Sequence, residues 1–69
     1  MNPKVFVSIL EKKKSLYSFK DEDLAKAIHV CEKTFKRKKK KPGSFSIDDV
    51  NYLMKFLRFN DEERKEVYL

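Results

Sequence analysis

A single cysteine, Cys31, can close no intrachain disulfide, and its one neighbouring histidine, His29, cannot complete a tetrahedral metal site with it. With Gly43 the only glycine, no glycine-rich loop is available to cradle a phosphate. No nucleophile is paired with a base either, and these absences together argue against an enzyme and against a bound cofactor or metal. The carboxylate pairs Asp48/Asp49 and Glu62/Glu63 fall in first helical turns, where caps and the helix dipole account for them. The chain has no run of the roughly 18 apolar residues that span a bilayer, and residues 1–10 lack the apolar stretch of a signal peptide. A soluble cytoplasmic protein is expected.

Its 69 residues leave room for one domain over 1–69, near the lower limit for a chain that folds on a single hydrophobic core. The apolar fraction is 41%, and six Phe with three Tyr supply the bulk such a core needs. Charge is unevenly spread: the net is +6, with 13 Lys and Arg against 5 acids over residues 1–41 and 4 against 6 over residues 42–69. A basic first part attracts a polyanion, which makes nucleic acid the leading partner. An anionic membrane surface comes second, but it requires a continuous apolar helix face that short capped helices do not offer.

Apolar periodicity and end signals divide the chain into five helices. Pro3 suits a first turn, and Val5, Phe6, Ile9 and Leu10 give helical spacing over residues 3–14, closed by Lys12, Lys13 and Lys14 as a solvated basic end. Residues 15–20 break the pattern, with Ser15 and Ser18 offering turn chemistry and Phe19 turned to the core. Asp21, Glu22 and Asp23 open a second helix over residues 21–28, which buries Leu24, Ala25 and Ile28. After a tight turn at His29, Val30 and Cys31, a third helix spans residues 32–41 until Pro42 and Gly43 stop it. Cys31 stands at its cap position.

The clearest start signal is Ser46 with Asp49, a capping box, with Phe45 and Val50 as hydrophobic staple. It opens a fourth helix from Ile47 to near Phe59, with Val50, Leu53, Met54 and Leu57 inward and Tyr52, Phe56 and Phe59 widening the apolar surface. Asn60 and Glu63 repeat the cap pattern for a fifth helix over residues 61–68. The expected fold is all-α, a compact five-helix bundle with a helix-turn-helix.

On the third helix Thr34 and Phe35 turn inward, while Lys33, Lys36, Arg37 and Lys40 share an exposed face. Residues 20–37 read K-D-E-D-L-A-K-A-I-H-V-C-E-K-T-F-K-R. This stretch resembles the S-Q-x-x-L-A-x-x-L-G-V-S-x-x-T-I-S-R pattern of the Cro/C1-type (XRE) helix-turn-helix regulators of bacteria and their phages. Leu24, Ala25, Ile28, Val30, Thr34, Phe35 and Arg37 agree in type, and the resemblance extends over about residues 5–68.

The resemblance implies a lambda-repressor-like DNA-binding domain, a transcription regulator or repressor acting as a homodimer on double-stranded DNA. Its third helix would enter the major groove with Glu32, Lys33, Lys36 and Arg37 at base edges, reading a G·C-containing half-site. Lys14, Lys20, Lys40 and Lys41 would hold phosphates. Asp21 stands where the family carries a phosphate-binding Gln, with Lys20 beside it to compensate. His29 replaces the glycine favoured for its positive φ.

Dimer contacts are expected at the exposed part of the fifth helix, including Val67, Tyr68 and Leu69, and at Phe56 or Phe59. The alternative reading keeps the fold and makes it an antirepressor or modulator that grips another regulatory protein, favoured by Asp21, Glu22 and Asp23 beside the lysine run.

Overall fold

Start signals written in the local sequence produce the helices where they are expected. The computed structural model describes residues 1–68, with the Pro42 side chain set aside, and within them it contains five α-helices and no strand. They are α1 (Pro3–Leu16), α2 (Asp21–Ala27), α3 (Glu32–Lys40), α4 (Ile47–Phe56) and α5 (Asp61–Tyr68), with a 3-10 turn at Pro42–Ser44 between α3 and α4. Among the described residues no helix is long and apolar enough to cross a membrane. The radius of gyration, 10.8 Å, matches the roughly 11 Å of one compact body of this length.

Side chains cap three of the five N-termini, relieving amides that have no partner inside the helix. Asn2 Oδ1 accepts from the Val5 N–H at 3.3 Å. Ser46 and Asp49 form a reciprocal box, at 3.0 Å to the Asp49 N–H and 3.2 Å to the Ser46 N–H, and Asn60 and Glu63 form a second at 2.8 and 2.9 Å. At α2 the box is half made. The Asp23 carboxylate accepts from the Lys20 N–H at 2.8 Å, but an ammonium has nothing with which to accept in return.

The helix ends share a device that the sequence disguises. α1, α2 and α4 each stop at a residue with positive φ that is not glycine: Ser18 (58°), His29 (59°) and Arg58 (55°). In each case the next N–H reaches back five residues: Phe19 to Lys14 O at 2.9 Å, Val30 to Ala25 O at 3.0 Å, Phe59 to Met54 O at 2.9 Å. These are Schellman stops, each followed by an apolar residue, Phe19, Val30 or Phe59, that packs in or against the core. They explain the boundary differences. α1 continues through Ser15 to Leu16 because the reversal waits for Ser18, and α4 ends at Phe56 because Arg58 reverses the chain before Phe59.

The core draws on every helix: Phe6, Ile9 and Leu10 from α1, Leu24 and Ala25 from α2, Phe35 from α3, Val50, Leu53 and Met54 from α4, and Val67 from α5. Ile28, Phe45, Leu57 and Phe59 join from the connections, and Phe6 packs edge-on against Phe45 with ring centroids 5.6 Å apart. Two expected dimer contacts therefore fail as surface residues. Val67 and Phe59 are both buried within the protomer, because α5 folds back on α1 and the Val67 carbonyl accepts from the Asn2 N–H. Tyr68 is exposed and donates to Asn51 Oδ1 at 3.2 Å, while Leu69 lies outside the described residues.

Candidate nucleic-acid interface

α2 packs chiefly against α3 across the connection Ile28 to Cys31, with Ala25 buried and small enough for a close approach. Phe35 anchors α3: it is fully buried and lies edge-on to Phe45, ring centroids 6.0 Å apart. Each residue of a helix turns 100° from the last, so pinning Phe35 inward decides where every neighbouring cation goes.

Lys33, Lys36, Arg37 and Lys40 fall on the outward side, where they are exposed and together line one shallow depression. Glu32 shares this face at the first turn, with only a loose pairing to Lys36 at 3.9 Å. Lys41, which caps the helix, and Lys20, at the start of α2, are exposed as well. All four residues expected at base edges, and three of the four expected on phosphates, are thus open to solvent.

The fourth is not. Lys14 Nζ lies 2.8 Å from Asp21 Oδ1 and 2.7 Å from Glu11 Oε2, and Lys39 Nζ lies 2.9 Å from the same Asp21 oxygen and also bonds Glu11. Two cations and two carboxylates from α1, α2 and α3 therefore close one network, with the Lys14, Asp21 and Lys39 side chains only 20%, 13% and 17% exposed. Lys14 is a strut between helices and is not free to meet a phosphate. Asp21, which stands at the phosphate-binding Gln position of the pattern, has its charge consumed inside the fold.

Lys38 also turns inward. Its ammonium donates to the Ser44 carbonyl at 3.1 Å, lies 3.5 Å from Asp49, and sits 5.9 Å from the Phe45 ring centroid. Lys39 lies 5.6 Å from the Phe35 centroid, its stem covering the aromatic core while its head reaches the carboxylates. The run 36–41 thus divides, two cations tied to the fold and four left outward. Lys13 likewise pairs with Glu63 on α5 at 3.0 Å, so α1 does not end in the solvated basic turn expected of it.

Titration follows from this division. Partial burial by itself raises the Asp21 and Glu11 carboxyls, but hydrogen bonds and charge from Lys14 and Lys39 outweigh it and hold both below their ordinary values. For Lys14, burial works against the charged form and the two carboxylates overcome it, so its ammonium is held more firmly than that of a free lysine. Glu63 follows the carboxylates: burial raises it, and the Asn60 N–H and Lys13 lower it further than that.

At the start of α3, Cys31 is exposed, and its sulfur meets the Thr34 hydroxyl at 3.1 Å. That contact, with the Thr34 and Lys33 backbone amides, lowers the thiol from its usual range. His29 adopts the left-handed conformation expected of the glycine position it fills.

The inward role of Lys39 was signalled in the sequence by its i+4 relation to Phe35, the spacing that puts it on the flank of the buried stripe. Its partners, 18 and 28 residues away in the chain, carried no such signal. No family model matches the chain, and no curated protein or solved structure compared with it is similar to it.

Proposed function

We propose that the protein is a sequence-specific DNA-binding regulator that inserts α3 into the major groove and acts as a homodimer over two half-sites. The observation that carries this reading is the sorting of cations on α3. Glu11, Asp21 and Asp49 pair with the inward Lys38 and Lys39, and Lys33, Lys36, Arg37 and Lys40 are left side by side with only the loose Glu32 contact of Lys36. Arg and Lys donate to guanine O6 and N7, Glu32 accepts from cytosine N4, and Lys20, Lys40 and Lys41 flank them as phosphate holders. The likeness of residues 20–37 to the Cro/C1-type pattern supports the same reading, as does the small size of one protomer, which covers too little duplex alone to be both tight and selective.

Of the three acids behind the alternative of a protein partner, Asp21 and Asp23 are engaged within the fold and Glu22 remains exposed. Asp21 is held by Lys14 and Lys39, Asp23 caps the Lys20 amide, and Glu22 pairs with Lys26 at 3.4 Å.

The test is binding to random and genomic duplexes across a salt series. Three phosphate holders per protomer predict that log affinity falls with log salt with a slope of roughly 5 for a dimer; counting Lys14 as a fourth would give about 7. One duplex should exceed the pool by about a thousandfold or more. Absence of any duplex preference overturns the reading.

A further inference from the structure

Away from α3, separate stretches of chain bring aromatic rings to one surface. Tyr17 caps α1, Phe19 follows the reversal at Ser18, and Tyr52 and Phe56 share a face of α4 by their i, i+4 spacing. Phe19 and Phe56 stack with centroids 5.0 Å apart, and Tyr17 lies 6.0 Å from Phe19. Tyr17, Phe19, Phe56 and Arg58 line one shallow cleft, and Tyr52, Lys55 and Phe56 line a second, so the two join at Phe56. Tyr17, Tyr52 and Phe56 remain 38%, 55% and 37% exposed. Aromatic side chains left side by side in solvent mark a binding surface.

The charges within the clefts indicate what binds there. Arg58 lines the first and Lys55 the second, and among the described residues no carboxylate lines either. Both cations are exposed, and among the described residues neither takes part in an ion pair, unlike Lys13, Lys14, Lys38 and Lys39. Their charge is open to a partner and is of one sign throughout. A second copy offering the same face would bring cation toward cation. An anionic occupant with apolar side chains suits both parts of the surface, because apolar groups lie against the rings while carboxylates meet Arg58 and Lys55. A nucleic-acid single strand is also anionic, but it binds by stacking successive bases on open ring faces. Phe19 and Phe56, at 29° to each other, each take up a face of the other, and Tyr17 is turned 55° from Phe19, so no run of parallel open faces is offered. We propose that the Tyr17–Phe19–Phe56–Tyr52 surface receives an acidic segment of another protein, its aromatic or aliphatic side chains seated in the two clefts and its carboxylates paired with Arg58 and Lys55. The surface shares no residue with the outward set on α3, so this binding is additional to DNA recognition and independent of it.

Random peptides of about 12 residues, selected on the full chain, provide the test. The selected pool should be enriched in Asp and Glu interleaved with aromatic or aliphatic residues. In fluorescence anisotropy with the selected peptides, K55E/R58E and Tyr52→Ala should each weaken binding at least about tenfold. All three positions are exposed, so thermal melting should show the fold retained. Lys36→Ala/Arg37→Ala, which removes cations from α3, should leave peptide affinity within about twofold of wild type, since charges on another face are screened.

A pool without acidic enrichment overturns the proposal. So does peptide affinity that survives K55E/R58E, or that falls as far with the α3 variant as with the strip variants. A labelled oligothymidine strand that binds more tightly than the selected peptides and is lost with Tyr52→Ala overturns it in favour of single-stranded nucleic acid. Self-association of the wild-type chain that K55E/R58E abolishes overturns it in favour of a second copy. If the acidic peptides bind as expected but no duplex is preferred, the surface stands and the DNA reading falls; a preferred duplex without an acidic pool gives the reverse.

Discussion

Lys36 and Arg37 are followed directly by Lys38 and Lys39, yet the two pairs do different things. Lys36 is 56% exposed and near only Glu32, whereas Lys39 is 17% exposed and bonded to two carboxylates from two other helices. The difference has one geometric source. Phe35 is pinned in the core, so positions three and four residues on return toward the buried flank, while positions one and two residues on point to solvent. A lysine run on a helix therefore holds two populations, and composition alone counts them as one.

The strongest way to break the contrast is to remove its pivot. Phe35→Ala should cost about 3–5 kcal/mol in urea unfolding, most of the stability of a chain this short, and should erase the distinction between the two faces together with the fold.

Next comes the inner network. Asp21→Asn leaves Lys14 and Lys39 sharing Glu11 and should cost about 1–3 kcal/mol, because breaking a partly buried ion network leaves charge uncompensated. It should also flatten the acid side of the stability profile. Asp21 and Glu11 titrate below their ordinary 3.8 and 4.5 when folded, so the unfolded chain takes up protons first. Their contribution is complete above those values and is lost as pH falls through the lower folded ones. Lys14 has the opposite sign: its contribution is complete below 10.5 and is lost only far into alkaline solution.

The outer face should respond in binding with little change in folding. Lys36→Ala or Arg37→Ala should shift the melting free energy by less than about 0.5 kcal/mol and reduce base preference at one position by about 1–3 kcal/mol. Lys41→Ala should weaken all duplexes alike and lower the salt slope by about 2 in a dimer. Lys39→Met makes the matching control, losing stability with base preference unchanged. Equal, sequence-independent losses from Lys36, Arg37 and Lys41 variants would reduce α3 to an electrostatic anchor.

The smallest effects belong to the helix stops. Ser18→Gly, His29→Gly and Arg58→Gly should each raise stability by up to about 1 kcal/mol, since glycine relieves the left-handed conformation that all three adopt and loses part of the gain to backbone entropy. Among the described residues each of these positions closes a helix, so a loss on substitution would point to a side-chain role that the backbone alone does not explain.

Local chemistry was readable in advance. Ser46 with Asp49 and Asn60 with Glu63 mark helix starts because each box is completed within four residues. The buried stripe of α3 and the outward set Lys33, Lys36, Arg37 and Lys40 follow from helical period. Helix ends are harder to read: with no glycine at the reversals, Ser18 offers only general turn chemistry and Arg58 no signal at all, so α4 reads three residues too long. His29 was the exception, visible against the resembled pattern. Val67 was misplaced because an apolar residue near a chain end reads equally as a contact surface or as the last piece of a core, and only the packing of α5 on α1 separates the two.

The order of residues settles which cations of α3 share a face, since that depends on a 100° turn per residue and on one buried aromatic. Which cations keep their charge available is settled only by the fold. Neutralising Lys39 takes carboxylates brought from α1 and α2 to within 3.0 Å, and Lys14 needs Asp21 of α2 beside the Glu11 of its own helix. Ion pairing depends on distance in space: Glu11 and Lys14 already share a face of α1 by their i,i+3 spacing, but Asp21 and Lys39 join them only when the helices pack.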